Sequence, residues 1–473
     1  MCPVRTTSGL LLYEYDGNGN VTKRTDARGV VTQFAYDELN RATRKMYTEP
    51  GVPSDQKTPN VTYCYDGLTA GGTDGVCTGS RAASVYGRLS ETWTTASSTK
   101  QLGYDALGRV VLSRQTTDGQ AYDFGTGTGN PGYQYNLADG LTMLKLPSGR
   151  TVLYGYDAAT GQVSTIGRSD GTKWADQFSY AAGGALSGMR LGNGVVESWH
   201  YNSRLQPVSI AAGTLTLGYG YGTASANNGN VRSQTITAGS TTFTQSYDYD
   251  GLNRLTKAEE TALAGQTGWL QEYVYDRYGN RAVYSAEGRY IPDPAGTPQV
   301  TTRTETAVAT IFGNNQWSGA AYDGGTASAG NVTSIPGFTF TYDAESRLKT
   351  VVHGAATIEY RYGGDGRRVE KVQGTAKTVY VYDAAGNLAA EYATMPETGP
   401  CTTCYLTADH LGSTRAMTSQ SGAAVALHDY LPFGEEIGAG VNGRGALYGA
   451  ELPRLKFTSK ERDAETGLDY FGA

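Results

Sequence analysis

The constellations in this chain that could do chemistry are few, and each has a structural reading beside the chemical one. Asp16, Asn18 and Asn20 stand where a calcium loop places its first, third and fifth oxygen ligands. Such a loop needs Gly at its sixth position and Glu at its twelfth, but Val21 and Ala27 stand there. Asp409, His410 and Ser413 supply the letters of a nucleophilic triad. A triad is an arrangement in space, and adjacent Asp and His do not normally orient one another as its chemistry requires. No GxSxG elbow accompanies them. A structural turn, with Arg415 pairing an acidic group, is the better reading.

Cys401-Thr402-Thr403-Cys404 is the one CxxC, and a zinc site would want a second pair. Cys64 and Cys77, thirteen positions apart, do not make one. No βαβ pattern surrounds the motif to suggest a redox enzyme. After Pro396 and Pro400 it reads as a loop or hairpin end, where a local disulfide or free thiols suit it better than metal. Lys460-Glu461-Arg462-Asp463-Ala464-Glu465 alternates in sign. Paired carboxylates do acid–base work only where their surroundings push their pKa values apart, so a salt-bridge network is expected instead. His200, His353, His410 and His428 show no metal spacing, and neither a Walker loop nor a GxGxxG after a strand occurs. The expectation is therefore no catalytic residue, no cofactor-binding residue, no metal ligand and no cofactor.

What positions these residues is a repeat. The 473 residues exceed the span of about 250–300 at which one hydrophobic core stops growing, so several domains or a repeat architecture is expected. Gly supplies 64 residues, roughly twice ordinary usage, and Tyr 35 against only 10 Phe and 6 Met. That composition excludes a helical bundle and favours a β protein with many turns. With 39 Lys+Arg against 45 Asp+Glu, the net charge of -6 argues against a broad phosphate-neutralising face, so nucleic acid is not an expected partner. No run of about 18 apolar residues offers a transmembrane helix. Leu10-Leu11-Leu12 is too short for the core of a secretory signal, so the chain reads as starting inside a larger architecture. Five scattered Cys are too few for a disulfide scaffold and leave the redox compartment open.

The repeat unit is Tyr-Asp, a short Gly- or Asn-containing turn, then an apolar or Thr-rich run. It recurs at Tyr15-Asp16, Tyr36-Asp37, Tyr104-Asp105, Tyr156-Asp157, Tyr249-Asp250, Tyr275-Asp276, Tyr342-Asp343 and Tyr382-Asp383. Degenerate copies sit at Tyr65-Asp66, Tyr135-Asn136, Tyr201-Asn202, Tyr322-Asp323 and Tyr360-Arg361-Tyr362. Tyr15 to Tyr36 and Tyr135 to Tyr156 are 21 residues apart, and Tyr342 to Tyr362 to Tyr382 are steps of 20. That period fits one β-hairpin with two strands of about 6–7 residues and two turns. The Asp side chain can accept a hydrogen bond from the backbone two residues on. Gly or Asn three residues after the Asp takes the left-handed conformation that closes the turn. Tyr and the residue after the turn pair across the hairpin, and the following Arg or Asn can reach carbonyls or the Asp. Ile358, Tyr360 and Tyr362 should share one face, with Glu359 and Arg361 on the other. Helical periodicity is nearly absent; Leu255–Leu263 is the one stretch that admits it.

These residues bring a family into view. The chain resembles the YD-repeat (RHS) proteins over essentially its whole length. Three elements sharpen the resemblance: Asp409-His410-Leu411-Gly412-Ser413-Thr414-Arg415, Tyr430-Leu431-Pro432-Phe433-Gly434-Glu435, and Phe457–Asp463 with Ala464–Tyr470. They are similar to the signatures of the RHS repeat-associated core. The resemblance implies an all-β fold: Tyr-Asp hairpins in a long spiralling antiparallel sheet, forming a partial hollow shell over residues 1–400. A core over residues 401–473 would plug or cap one end. It implies a non-enzymatic scaffold of an RHS-type polymorphic toxin or surface protein, enclosing a C-terminal toxin or other cargo polypeptide. Secretion machinery is an implied partner, and the implied location is secreted or on the cell surface. The chain stops at Phe471-Gly472-Ala473, before the family's self-cleaving segment and its cargo, so a shell and plug without cargo is expected. The alternative is a cell-surface adhesin that binds carbohydrate through Tyr-rich surfaces.

Overall fold

The computed structural model describes residues 4–6, 9–71, 75–80, 85–127, 129–285, 298–313, 315–324, 329–395 and 398–471. Cys2, Pro396, Gly472 and Ala473, which entered the sequence reading, lie outside these. The fold is nearly all β, with 50% strand against 4% helix, in long antiparallel sheets that do not close into a barrel.

The hairpin unit explains why these residues form these sheets. In the turn after Tyr249, Asp250 Oδ1 accepts the backbone N–H of Leu252 and of Arg254, both at 2.9 Å. Its other oxygen accepts Arg254 Nε at 2.7 Å. These bonds hold the Asp250 carboxyl below the usual carboxylate range, the Arg254 amide contributing most. Asn253 closes the turn at φ 62° and Gly386 does so at φ 84°, a backbone conformation strained for β-branched residues. The same set recurs at Asp37, Asp105, Asp343 and Asp383. Register follows: Tyr249 pairs with Leu255, Tyr342 with Leu348 and Tyr382 with Leu388, each beside a bulge.

Two contacts stitch one hairpin to the next. The Tyr hydroxyl donates to the carbonyl just past the previous turn: Tyr275 Oη to Leu255 O at 2.8 Å, Tyr342 Oη to Val332 O at 2.8 Å, Tyr362 Oη to Leu348 O at 2.6 Å. Burial raises the Tyr275 and Tyr342 phenols further above neutrality, so they remain donors there. The post-turn Arg lies over the next repeat's Tyr ring, as Arg254 does over Tyr275 at 4.6 Å and Arg347 over Tyr362 at 4.5 Å. One residue pair thus caps its own turn and clamps its neighbour.

Contacts group the chain into two units: Met1–Leu153 with Ala320–Glu397, and Tyr154–Gly319 with Thr398–Phe471. In the first, eleven strands run in chain order from Val4–Thr6 to Asn130–Pro131, bypassing a small ribbon of Thr69–Gly71 and Val76–Thr78. Eight more run from Ala321–Tyr322 to Leu388–Ala393. These two sheets meet within the unit: Gln115 Nε2 donates to Tyr380 O at 2.8 Å, and Gln115 Oε1 accepts Tyr382 N–H at 3.1 Å. Residues 356–362 alternate as expected, with Ile358, Tyr360 and Tyr362 buried and Glu359 and Arg361 exposed. In the next hairpin Val379, Tyr380 and Val381 are all buried, because the facing sheet covers the second side there.

The second unit continues in chain order from Val163–Gly167 to Gln299–Val300. Leu255–Leu263 is not helical: Leu255–Glu260 is a strand between Thr241–Tyr249 and Leu270–Tyr275. Strand pairing on both sides overrides its helix-forming residues. The α-helix among the described residues is instead Glu305–Ile311, capped by Thr304 accepting Ala307 N–H. No helix of the described residues is long and apolar enough to cross a membrane.

Candidate functional site at the junction of repeat sheet and C-terminal core

Within the second unit, residues 405–470 form short ribbons: Tyr405–Ala408, Thr414–Thr418 and Ala424–Leu427 in one sheet, then two two-stranded pieces, Asp429–Tyr430 with Glu436–Ile437 and Glu461–Arg462 with Asp469–Tyr470. Their apolar side chains complete the repeat sheet's core. Ala416 and Tyr448 join Ile210, Leu217, Ile236 and Phe243, while Leu431 and Ile437 join Trp269, Tyr273 and Val283. The repeat strands alone would leave that face open to water.

Through this apolar contact runs a buried chain of charges. Arg444 forms a fork on Glu260, Nη1 to Oε1 and Nη2 to Oε2, both at 2.7 Å, with both side chains fully buried. Its Nε donates to Asp429 Oδ2 at 2.8 Å. Arg415 Nη2 reaches the other oxygen of Asp429 at 2.5 Å, and its Nη1 reaches Asp409 at 3.3 Å. Gln245 Nε2 and Asn442 Nδ2 donate to Glu260 as well, at 2.9 Å and 2.8 Å. Phe243 lies under the Arg444 guanidinium at 4.0 Å. Burial alone would pull Arg444 down; Glu260 and Asp429 outweigh it and hold the guanidinium above its ordinary value. The same balance, led by Asp429 and Asp409, raises Arg415.

A second cluster lies within the core. Glu436 accepts from His428 Nδ1 at 2.5 Å and from Lys456 Nζ at 2.6 Å. Burial would raise the Glu436 carboxyl, but these two donors hold it below the usual range. Arg462 forks onto Asp469 at 2.8 Å and lies 3.7 Å from Glu436. From the alternating run 460–465, Arg462 joins this salt-bridge network, pairing with Asp469 and Glu436, both outside the run.

The sequence-flagged residues are not brought together as reactive groups. Asp409 caps a repeat-like turn, accepting Leu411 and Ser413 N–H at 2.9 Å, and pairs with Arg415. The His410 ring lies 4.4 Å from Tyr219, and Ser413 Oγ accepts Thr458 N–H at 3.0 Å. Asp16 likewise turns its oxygens on its own turn, to Asn18 N–H, Asn20 N–H and Asn20 Nδ2. Cys401 and Cys404 form a disulfide. Cys64 and Cys77 form another, which their thirteen-residue spacing did not announce. Hairpin pairing brings them together, because Cys64 lies in Val61–Tyr65 and Cys77 in the adjoining ribbon. Glu260 and Arg444 went unflagged too, being separated by 184 positions; an Arg in a Gly-rich loop was the only available signal.

Residues 15–49 match the family described as RHS Repeat. No curated protein sequence matches the chain. Among solved structures, it resembles TcdB2-TccC3 at 15% identity and a TM-score of 0.66, covering 98% of this chain and 26% of that one. TcdB2-TccC3 without its hypervariable C-terminal region matches at 15% identity and 0.65, over 98% of this chain and 25% of that one. A Photorhabdus luminescens Tc holotoxin pore carrying a TccC3 mutation matches equally, at 15% and 0.65, over 98% and 25%. The chain spans about a quarter of the length of these solved chains. The repeat at residues 15–49 is an RHS repeat, and the fold over nearly all of the chain is that of the TcdB2-TccC3 structures.

Proposed function

We propose that this chain is the wall and closing core of a non-enzymatic encapsulating scaffold. Residues 1–400 make the repeat wall, and residues 401–473 the repeat-associated core that seals it. The enclosed partner is a C-terminal toxin or other cargo polypeptide, exported with the scaffold by secretion machinery to the cell surface or beyond. No residue is assigned to catalysis, a cofactor or a metal. The observation that carries the reading is the Glu260–Arg444–Asp429–Arg415 chain, which ties the core to the repeat sheet where a cap must hold. Resemblance to TcdB2-TccC3 supports a toxin-associated scaffold. The two disulfides support a folded life in an oxidising compartment. Limited proteolysis of the full-length product tests it. Encapsulated cargo should resist digestion while the same segment alone is degraded; equal digestion overturns the reading.

Carbohydrate binding is the second reading. A polar cleft of about 850 Å³ in the first unit, lined by Gln56, Asn60, Thr95, Lys349 and Tyr360 among others, favours it. Glycan-array binding by this chain, lost on Asn60→Ala, would support it.

A further inference from the structure

Glu197 differs from the other buried carboxylates at the junction. It lies in Val196–Tyr201, is 1% exposed, and accepts one side-chain hydrogen bond, from Thr407 Oγ1 of the core strand Tyr405–Ala408. Glu260, Asp429 and Glu436 each hold a cation; Glu197 has none among the described residues. Its neighbours on the adjoining strands are Met189 and Ala212, and Leu191, Val195 and Tyr405 cluster with these two.

The charged and titratable groups on the surrounding elements are engaged elsewhere or are neutral. Arg190 forks onto Asp176, to which Lys173 also reaches, so these three satisfy one another. Pro207–Ala212 carries no titratable side chain. His200 shares the strand of Glu197 but is exposed. From the core come Tyr405, kept protonated by burial, and Arg415, held by Asp409 and Asp429. A second tie beside the contact, Asn193 Nδ2 to Thr418 Oγ1 and Ser419 O at 2.9 and 2.8 Å, does not titrate.

We propose that Glu197 and Thr407 form a pH-sensitive latch, holding the three-stranded core sheet on the repeat sheet while the carboxyl is protonated and loosening it as the carboxyl ionises. The inference rests on reading residues 401–473 as the closing core. Burial pushes the Glu197 carboxyl up to about 7, against an ordinary value of 4.5. A neutral acid is tolerated in these surroundings; an ion with one hydroxyl partner is not. Because the docked value is raised, the latch's contribution is complete below the ordinary value and is lost as pH rises through about 7.

Hydrogen exchange of the amides in residues 405–418 of this chain, corrected for intrinsic rate and followed from pH 4 to pH 9, tests the latch. Protection should fall about tenfold per pH unit between 4.5 and 7, then level off, as one proton lost on opening requires. Glu197→Gln keeps an acceptor for Thr407 and should flatten that fall, leaving any contribution of His410 or Glu436 in place. Thr407→Val, which removes the hydroxyl, should carry the fall to higher pH and serves if the Gln variant does not fold. Flat protection in the parent chain, or an equally steep fall in Glu197→Gln, overturns the proposal. So does an unmoved midpoint in Thr407→Val. No cargo is present in the assay, so its failure would leave the encapsulation reading standing, and cargo digestion would leave the latch standing.

Discussion

Removing the guanidinium of Arg444 is the sharpest perturbation of the junction. Arg444→Met keeps much of the side-chain volume over Phe243 but leaves Glu260 and Asp429 buried without their shared cation. Glu260 retains Gln245 and Asn442, and Asp429 retains Arg415, so neither carboxylate is stripped of every donor. Breaking a buried pair from one side costs about 3–5 kcal/mol, most of it the desolvated charge left behind. For a cooperative unit of about 240 residues that is a fall in Tm of roughly 6–20 °C. The second substitution separates charge from packing. In Glu260→Gln/Arg444→Met the stranded carboxylate becomes a neutral amide, and much of the loss should return, because buried pairs replaced together are often close to neutral. Calorimetry of the parent, both single variants and the double variant reads the coupling directly. If Arg444→Met stays within about 1 kcal/mol of the parent, or the double variant is no more stable than the single, the clasp does not hold the core as reasoned.

Three further outcomes follow from the repeat lattice. Gly386→Val and Gly108→Val meet both a left-handed backbone and the guanidinium of the preceding repeat's Arg367 or Arg88, whereas Gly19→Val meets only the backbone. The first two should lose more than the roughly 1–3 kcal/mol of backbone strain that limits the third, and equal thermal shifts in all three would count against the stacked-Arg geometry. Tyr275→Phe keeps the ring under Arg254 but deletes the bond to Leu255 O, so chemical denaturation should report a loss of about 0.5–1.5 kcal/mol; no change would mean the hydroxyl bond is not stabilising. Cys64→Ala/Cys77→Ala opens the loop closed across 13 positions and should cost about 3 kcal/mol, with the parent equally destabilised by reductant and the variant insensitive to it.

What the amino-acid order determined by itself is whatever is encoded over short distances. The Asp cap spans two to four residues, the left-handed Gly or Asn three, and the Tyr hook about one hairpin, so composition and period were enough to reveal strand, turn and register. The face pattern of Ile358, Tyr360 and Tyr362 was legible for the same reason. Where a second sheet covers the outer side, as at Val379–Val381, alternation ceased to be informative. The helix at Glu305–Ile311 went unread because seven residues are two turns, too short for periodicity to stand out. The junction belongs wholly to tertiary structure. Arg444 could have been one more solvated cation, and Glu197 one more strand-surface acid; only folding removes both from water and decides which of them finds a countercharge. Ionic partners 184 positions apart leave no local trace, because a charge carries no information about its distant neighbour until desolvation makes that neighbour necessary.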